Sequence, residues 1–208
     1  MIRWLLLSLG WCLVPLSLFS QGKLLLIGGG EEAAGSWSDA PYRWAIQQSE
    51  NQRVAIISYV EEGDALTDYL VSLGAVDARN FWMADPQLAR TDWLLDSLAA
   101  YDCLIIRGED PFICNQYYRG TIIEQALDAA YQRGAVVGGH SKAMTLFGDR
   151  FFSARQGDQS AQGLTNLWAP PFSLEKGLIV PYEGFIFESE FDSSHSLDRL
   201  LGFMARSR

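Results

Sequence analysis

Short apolar runs alternate with amphipathic stretches along most of the chain. Runs bounded by turn residues predict buried strands at 23–29, 53–60, 103–108 and 135–139. Stretches with helical periodicity predict helices at 64–74, 92–101 and 121–134. Because these helices separate continuously apolar strands, the pattern predicts an α/β fold. We expect a three-layer sandwich whose central sheet is mostly parallel and covered on both faces.

The pattern changes after residue 150. The stretch 149–163 is polar and rich in glycine, which favours a loop. Residues 177–191 predict two short strands around a turn at Glu183 and Gly184, and 196–206 has the periodicity of a closing helix. No internal repeat or low-complexity linker divides the chain, so we expect one α/β domain over residues 21–208.

The first 20 residues form a separate segment. A basic start is followed by an apolar run over residues 4–19 and then by Ser20. The alternative to a signal peptide is a membrane anchor, but the run contains Pro15 and is shorter than the roughly 20 apolar residues that a spanning helix needs. We therefore expect a signal peptide over residues 1–20 and an exported protein, periplasmic or secreted.

The composition is that of an ordinary globular protein, with 49% hydrophobic and 20% charged residues. The net charge of −9 disfavours electrostatic binding to nucleic acid or to an anionic membrane.

Cys103 opens a predicted strand and Cys114 lies past its far end, so a straight strand holds them too far apart for a disulfide. We expect two buried thiols. No cysteine or histidine pair has the spacing of metal ligands, and we expect no metal and no cofactor.

A serine stands at the apex of a predicted strand–turn–helix unit. The strand at 135–139 runs into His140, Ser141 and Lys142, and an apolar run follows. Many α/β hydrolases present a nucleophilic serine on such a turn. The turns at 28–32, 107–110 and 138–143 all follow predicted parallel strands, and ligands of such sheets bind beyond the carboxyl ends of the strands. The turn alone does not establish chemistry, because the fold needs its geometry in either case.

The turn after the first strand has the glycine spacing of a dinucleotide-binding loop, with Gly28, Gly30 and Ala33. Glu31 and Glu32 stand where a pyrophosphate would bind, and their charge would repel it. We therefore interpret this segment as a tight turn rather than as a nucleotide site.

Three segments together resemble a known family. LLLIGGGEEA (24–33), CLIIRGED (103–110) and GAVVGGHSKAM (134–144) are similar, in order and spacing, to the family of cyanophycinase and the aspartyl dipeptidases. These proteins are serine exopeptidases on a class I glutamine amidotransferase-like, flavodoxin-like fold. The resemblance covers roughly residues 22 to 204 and implies the same fold for this chain.

The resemblance implies roles for individual residues. Ser141 falls on the nucleophile, and the backbone N–H groups of Gly108 and Lys142 fall on the oxyanion hole. Arg199 falls on the last residue of a basic segment, where we expect a substrate contact. Several positions depart from the family's pattern. Arg107 and Ala143 each replace a glycine, and Ser194 and Ser196 replace two arginines. An acidic segment that follows the family's last helix has no counterpart before Arg208.

The most serious departure concerns the general base. The family's catalytic histidine falls on Glu190, and a carboxylate is a poorer base than imidazole for a serine hydroxyl. His195, His140 or Lys142 could serve instead, since serine–lysine pairs also occur in hydrolases. Each of the three also has a plain structural interpretation, as a solvated side chain or one that diverges from Ser141.

Four acidic residues follow the predicted strand ends or lie in the late segment: Glu109, Asp110, Glu188 and Glu190. They could form an acidic, substrate-binding pocket for a cationic ligand, such as an arginine-bearing peptide, or for a metal. The alternative is that they are solvated loop acids.

Two functions therefore remain open. The first is an exported serine exopeptidase that hydrolyses peptide or isopeptide bonds. The second is a catalytically inactive relative that binds a peptide, amino acid or protein partner in the same cleft, because a serine without a base is a weak nucleophile. Whether the chain is an enzyme at all stays undecided at this point. Both functions imply a small peptide or amino-acid-like ligand, and both leave a homodimer open.

Overall fold

The computed structural model describes residues 21–153, 155, 166, 168, 173–179, 181–191 and 196–206. The signal peptide expected over residues 1–20 lies outside the described residues, as do His195 and Ser194, so these expectations stay predictions. Among the residues described, none of the helices has the length and apolar content that a membrane crossing requires.

Five parallel strands form the central sheet, in the spatial order β1-β5-β4-β2-β3. The strands are β1 (Lys23–Ile27), β2 (Arg53–Ser58), β3 (Asp77–Trp82), β4 (Cys103–Arg107) and β5 (Val136–His140). The α-helices that follow or join them are α1 (Asp39–Gln48), α2 (Ala65–Ser72), α3 (Asp92–Ala99), α4 (Pro111–Tyr118) and α5 (Ile122–Gln132). The predicted α/β fold with a mostly parallel sheet is confirmed.

Helices cover both faces of this sheet, which makes the three layers. The side chains of α1 and α2 pack with one face of the strands, through Tyr42, Ile46 and Leu70. On the other face α3, α4 and α5 contribute a larger core that includes Leu98 and Leu127. The strands β2, β4 and β5 are apolar on both sides because both of their faces are buried, whereas the edge strand β1 is only partly buried.

A second, two-stranded sheet pairs β6 (Arg150–Phe152) with β7 (Leu174–Lys176) in antiparallel fashion. Arg150–Phe152 lies in the stretch expected to be a loop, so that part of the expectation is wrong. The last helix, α6 (Ser196–Arg206), is where the periodicity predicts it. Short 3-10 helices cover Leu88–Arg90 and Ser141–Phe147.

The two strands predicted within 177–191 do not form: the described residues 177–179 and 181–191 contain no strand. Single backbone hydrogen bonds join this segment instead to residues 146–149, which lie at the end of the 3-10 helix and in the turn before β6. Leu178 N donates to Leu146 O at 2.7 Å, and Asp149 N donates to Phe185 O at 2.7 Å. Because these hydrogen bonds are single and form no ladder, the apolar residues of this segment pack as irregular chain.

Cys103 and Cys114 are both free and fully buried, as expected. Burial raises the pKa of the Cys103 thiol to about 12, and it also raises the pKa of Cys114. Both side chains therefore belong to the hydrophobic core.

Candidate active site

Ser141 stands at the apex of a tight turn between β5 and the 3-10 helix Ser141–Phe147. Its φ angle is 55°, in the left-handed region that non-glycine residues rarely adopt, and only 2% of its surface is exposed. Gly139 makes the turn compact, since a Cβ there would lie 2.6 Å from Met144 Cα. Backbone strain of this kind clusters at functional sites because the surrounding structure must maintain it.

Two carboxylates accept hydrogen bonds from the Ser141 hydroxyl. Oγ lies 2.9 Å from Glu109 Oε2 and 3.2 Å from Glu190 Oε1. A hydroxyl carries one hydrogen, so it donates to one of the two at a time. Glu109 follows the end of β4, whereas Glu190 comes from the segment before α6. The fold thus brings together three side chains from distant parts of the sequence.

The backbone anchors Glu190 at this place. Its N–H donates to Gly28 O at 2.8 Å, and its φ angle of 50° is again left-handed. A Cβ at Gly29 would lie 3.3 Å from Glu190 Cγ, so the glycine turn after β1 packs directly on this side chain. Glu190 therefore occupies the place beside the serine that the sequence resemblance gives to histidine.

Gly108 packs closely behind the turn. Its carbonyl accepts a hydrogen bond from Ala143 N at 3.1 Å, which joins the turn after β4 to the turn of Ser141. A Cβ at Gly108 would overlap Cys114 Sγ and lie 2.5 Å from Tyr59 Cε1. Any other residue there would have to displace the side chains of Cys114 and Tyr59.

The other two predicted acidic residues have different partners. Asp110 caps α4, because its Oδ1 accepts from Phe112 N at 2.8 Å and from Ile113 N at 3.1 Å. Glu188 makes a two-pronged pair with Arg199, with distances of 2.9 Å to Nε and 2.5 Å to Nη2. Only Glu109 and Glu190, of the four, contact Ser141.

The Glu188–Arg199 pair lies next to a small cavity. Both side chains are more than nine-tenths buried, and the Arg199 guanidinium also lies 5.5 Å from the centre of the Phe152 ring. The cavity holds about 40 Å³, and the partly exposed Lys142 lines it together with Ser189. This volume has room for one or two water molecules, not for a peptide.

The sequence interpretation missed an ionic cluster beside the turn. Arg107 Nη1 lies 2.6 Å from Glu32 Oε1, and its Nε lies 3.2 Å from Glu62 Oε1. The Tyr42 hydroxyl donates to the same oxygen of Glu32. One feature of the sequence pointed to this cluster: Arg107 stands where the family that the chain resembles has glycine.

His140 belongs to this cluster and not to the Ser141 hydroxyl. Its Nε2 lies 3.4 Å from Glu32 Oε1 without forming a hydrogen bond, and the side chain is buried. Burial lowers the pKa of His140, and the positive charge of Arg107 lowers it further, although Glu32 and Glu109 oppose this. The lowered pKa favours the neutral form of the His140 imidazole.

The described part of the chain contains no group of three or more His, Cys, Asp and Glu side chains arranged to hold a metal ion. The site brings together a hydroxyl and two carboxylates, which are groups that acyl transfer and ligand binding by hydrogen bonds both use.

The comparisons with known proteins concern the fold. A scan against models of protein families found no match to this chain, and neither did a search of curated protein sequences. Among solved structures, the chain is similar to a peptidase from an acI-B1 actinobacterium. The TM-score is 0.62 and the identity 12%, over 88% of this chain and 76% of that one. It is also similar to a protein assigned to peptidase E from Listeria monocytogenes EGD-e, with a TM-score of 0.48 and 15% identity, over 76% and 74% of the two chains. The first of these likenesses shows that the chain has the α/β fold of a solved peptidase.

Proposed function

We propose that the chain is a serine hydrolase of the peptidase kind, in which Ser141 is the nucleophile and a glutamate takes its proton. The observation that carries the proposal is the Ser141 hydroxyl, which lies 2.9 Å and 3.2 Å from two carboxylate oxygens at the apex of a left-handed turn. The turn lies at the carboxyl edge of a parallel sheet, where α/β proteins bind ligands. The peptidase name of the solved protein with the same fold supports this proposal.

Glu190 is the proton acceptor in this proposal. A general base must lie within about 2.6–3.2 Å of the hydroxyl, and Glu190 and Glu109 both do. Glu190 stands at the position that the resemblance gives to histidine, and its backbone is tied to Gly28. Glu109 then orients the hydroxyl in the resting site. Because a carboxylate is a weaker base than imidazole, we expect a slower enzyme than one with a histidine.

The reaction is ordinary acyl transfer. Ser141 Oγ attacks the carbonyl carbon of a peptide or isopeptide bond while its proton passes to Glu190. Glu190 then gives that proton to the leaving nitrogen as the C–N bond breaks, which releases an amine and leaves an ester on Ser141. Glu190 then takes a proton from water, whose oxygen attacks the ester carbon. As the bond from that carbon to Oγ breaks, the acid product leaves and Glu190 returns the proton to Oγ. No cofactor takes part in these steps.

Backbone N–H groups stabilise the oxyanion in this scheme. Those of Gly108 and Lys142 have this role by resemblance, and each such donor is worth about 3–4 kcal/mol in the transition state. The close packing of Gly108 against Cys114 and Tyr59 supports the assignment, because it prevents this amide from moving.

The charges at the site favour substrates with a positive group. Glu109 and Glu190 place two carboxylates at the nucleophile, so a small peptide that carries a cationic group, such as an arginine side chain, gains electrostatic attraction there.

We also propose that the protein is exported, with residues 1–20 as its signal peptide. N-terminal sequencing of the protein recovered from its natural host tests this, with Gln21 expected as the first residue.

A second candidate is a relative that binds such a peptide without cleaving it. One observation favours it: only 2% of the Ser141 surface is exposed, so little of its hydroxyl is accessible to a substrate carbonyl. In that case the two carboxylates form the recognition site.

Peptide digestion separates the two candidates. Residues 21–208 are incubated with dipeptides and isodipeptides that carry arginine, lysine or no charge, and the products are followed by mass spectrometry beside a Ser141→Ala variant. We expect cleavage of cationic peptides by the native protein and none by the variant. Binding of the same peptides by both proteins, with no cleavage by either, would support the second candidate.

A further inference from the structure

Arg107 forms a buried bridge between three loops at the carboxyl edge of the sheet. It ends β4, while Glu32 lies in the loop after β1 and Glu62 in the loop after β2. The exposed fractions are 13% for the Arg107 side chain and 10% for that of Glu32, so water screens this pair poorly. The planar guanidinium holds both carboxylates at fixed positions, which the single ammonium of a lysine does less well.

The same loops carry the groups that hold the Ser141 hydroxyl. Arg107 comes two residues before Glu109, which accepts at 2.9 Å from Oγ. Glu32 lies four residues after Gly28, whose carbonyl anchors the backbone of Glu190. The ion pair between Arg107 and Glu32 therefore connects the segment of one acceptor to the support of the other.

We infer that Arg107 is a positioning residue, which fixes the separation of Glu109 and Glu190 across the Ser141 hydroxyl by holding Glu32 and Glu62. The inference rests on the proposed function, because that separation sets a reaction rate only if Ser141 reacts. Without Arg107, two carboxylates lose their cation, and Glu32 is released next to His140, whose Nε2 is 3.4 Å away. The loop after β1 then moves toward His140, and Glu190 loses its fixed place.

The first test compares Arg107→Gln with a matched loss of an ion pair elsewhere. Arg53 and Asp77 form a 2.9 Å pair at the opposite, amino-terminal edge of the sheet, so Arg53→Gln is the control. The three single variants Arg107→Gln, Arg107→Lys and Arg53→Gln are each treated with a fluorophosphonate, at a temperature where all of them are folded. Displacement of a catalytic group by about 1 Å costs up to a hundredfold. We expect labelling about ten- to a hundredfold slower in Arg107→Gln, nearly native in Arg53→Gln, and intermediate in Arg107→Lys. Equal slowing of both glutamine variants would overturn the inference.

The second test does not need activity. The chain has two histidines, so proton NMR resolves their titrations, and a His195→Gln variant assigns the signals. The charged groups that act on His140 are Glu32, Arg107 and Glu109, with Tyr42 bonded to Glu32. In Arg107→Gln we expect the pKa of His140 to rise, since a repelling charge is lost and Glu32 becomes available.

The two tests separate the two possible failures. A native protein that is never labelled contradicts the proposed hydrolase. A His140 titration that is the same in Arg107→Gln as in the native protein overturns the inference on Arg107, whether or not Ser141 is labelled.

Discussion

Glu190 Oε1 lies 3.2 Å from Ser141 Oγ, although the two residues are 49 positions apart in the sequence. Among the described residues, only Gln52, Ser141 and Glu190 adopt a positive φ without being glycine. Two of these three strained residues therefore meet in a single hydrogen bond. Such conformations cost about 1–3 kcal/mol each, and they persist where the surrounding structure enforces them.

Replacement of the two glutamates identifies the proton acceptor. Glu190→Gln keeps the size of the side chain but removes its basicity, so we expect the rate of Ser141 labelling by a fluorophosphonate to fall by about 10²–10⁴-fold. Glu109→Gln is the matched control and should cost about tenfold, because an amide oxygen can still accept the hydrogen bond. Labelling kinetics at several reagent concentrations separate binding from reaction. Equal losses in the two variants would show that Glu190 has no special role.

A histidine at position 190 tests from the opposite direction whether this position supplies the proton acceptor. In Glu190→His an imidazole takes the place beside Oγ, and its ordinary pKa lies near 6.5. We expect labelling of this variant to rise as the pH increases through about 6–7 and to match or exceed the native rate at pH 8. A folded Glu190→His variant that is not labelled at any pH would argue against the geometry of this pair.

The neutral His140 makes stability depend on pH. Its folded-state pKa is lowered by burial and by Arg107, whereas in the unfolded chain it is about 6.5. Between these two values the unfolded chain binds more protons, so the free energy of unfolding decreases as the pH falls below about 6.5. The loss is about 1.4 kcal/mol for each unit by which the pKa is lowered. Urea unfolding at pH 5, 6, 7 and 8 should show a steeper decrease for the native protein than for His140→Gln. Parallel profiles would contradict the burial of a neutral imidazole.

Gly108 has no room for a side chain. Gly108→Ala places a methyl group against Cys114 and Tyr59, and we expect overpacking to lower the free energy of unfolding by about 1–3 kcal/mol. Gly63→Ala is the control, because nothing lies within 4 Å of a Cβ there. Thermal or urea unfolding compares the two variants. The double variant Gly108→Ala/Cys114→Ala should recover part of the lost free energy of unfolding. No recovery would show that contact with Cys114 is not the cause of the loss.

The buried strands of the sheet were predictable from sequence, whereas the edge strand β3 and the helix α4 were not. Strands buried on both faces, such as β4 and β5, begin with apolar residues, and these runs marked them in the sequence. β3 is an edge strand of mixed polarity, DARNFW, with one buried residue, Phe81, so no apolar run marked it. The helix α4 begins with Asp110 and Pro111, which are standard start signals, but its weak amphipathicity concealed it.

The site was predictable to the extent that local sequence defines it. The Ser141 turn has a local signature, since a strand, two glycines and a polar residue follow one another. The pairing of Arg107 with Glu32 has none, because it depends on which loops the strand order brings together. For the same reason Asp110 and Glu188 could not be told apart from Glu109 and Glu190 before their partners were known.

The intact mass of residues 21–208 after treatment with a fluorophosphonate is the most direct test of Ser141 as a nucleophile. The native protein should gain one adduct, which peptide mapping places on Ser141, and a Ser141→Ala variant should gain none. A folded native protein that stays unlabelled would contradict the hydrolase and favour the binding protein.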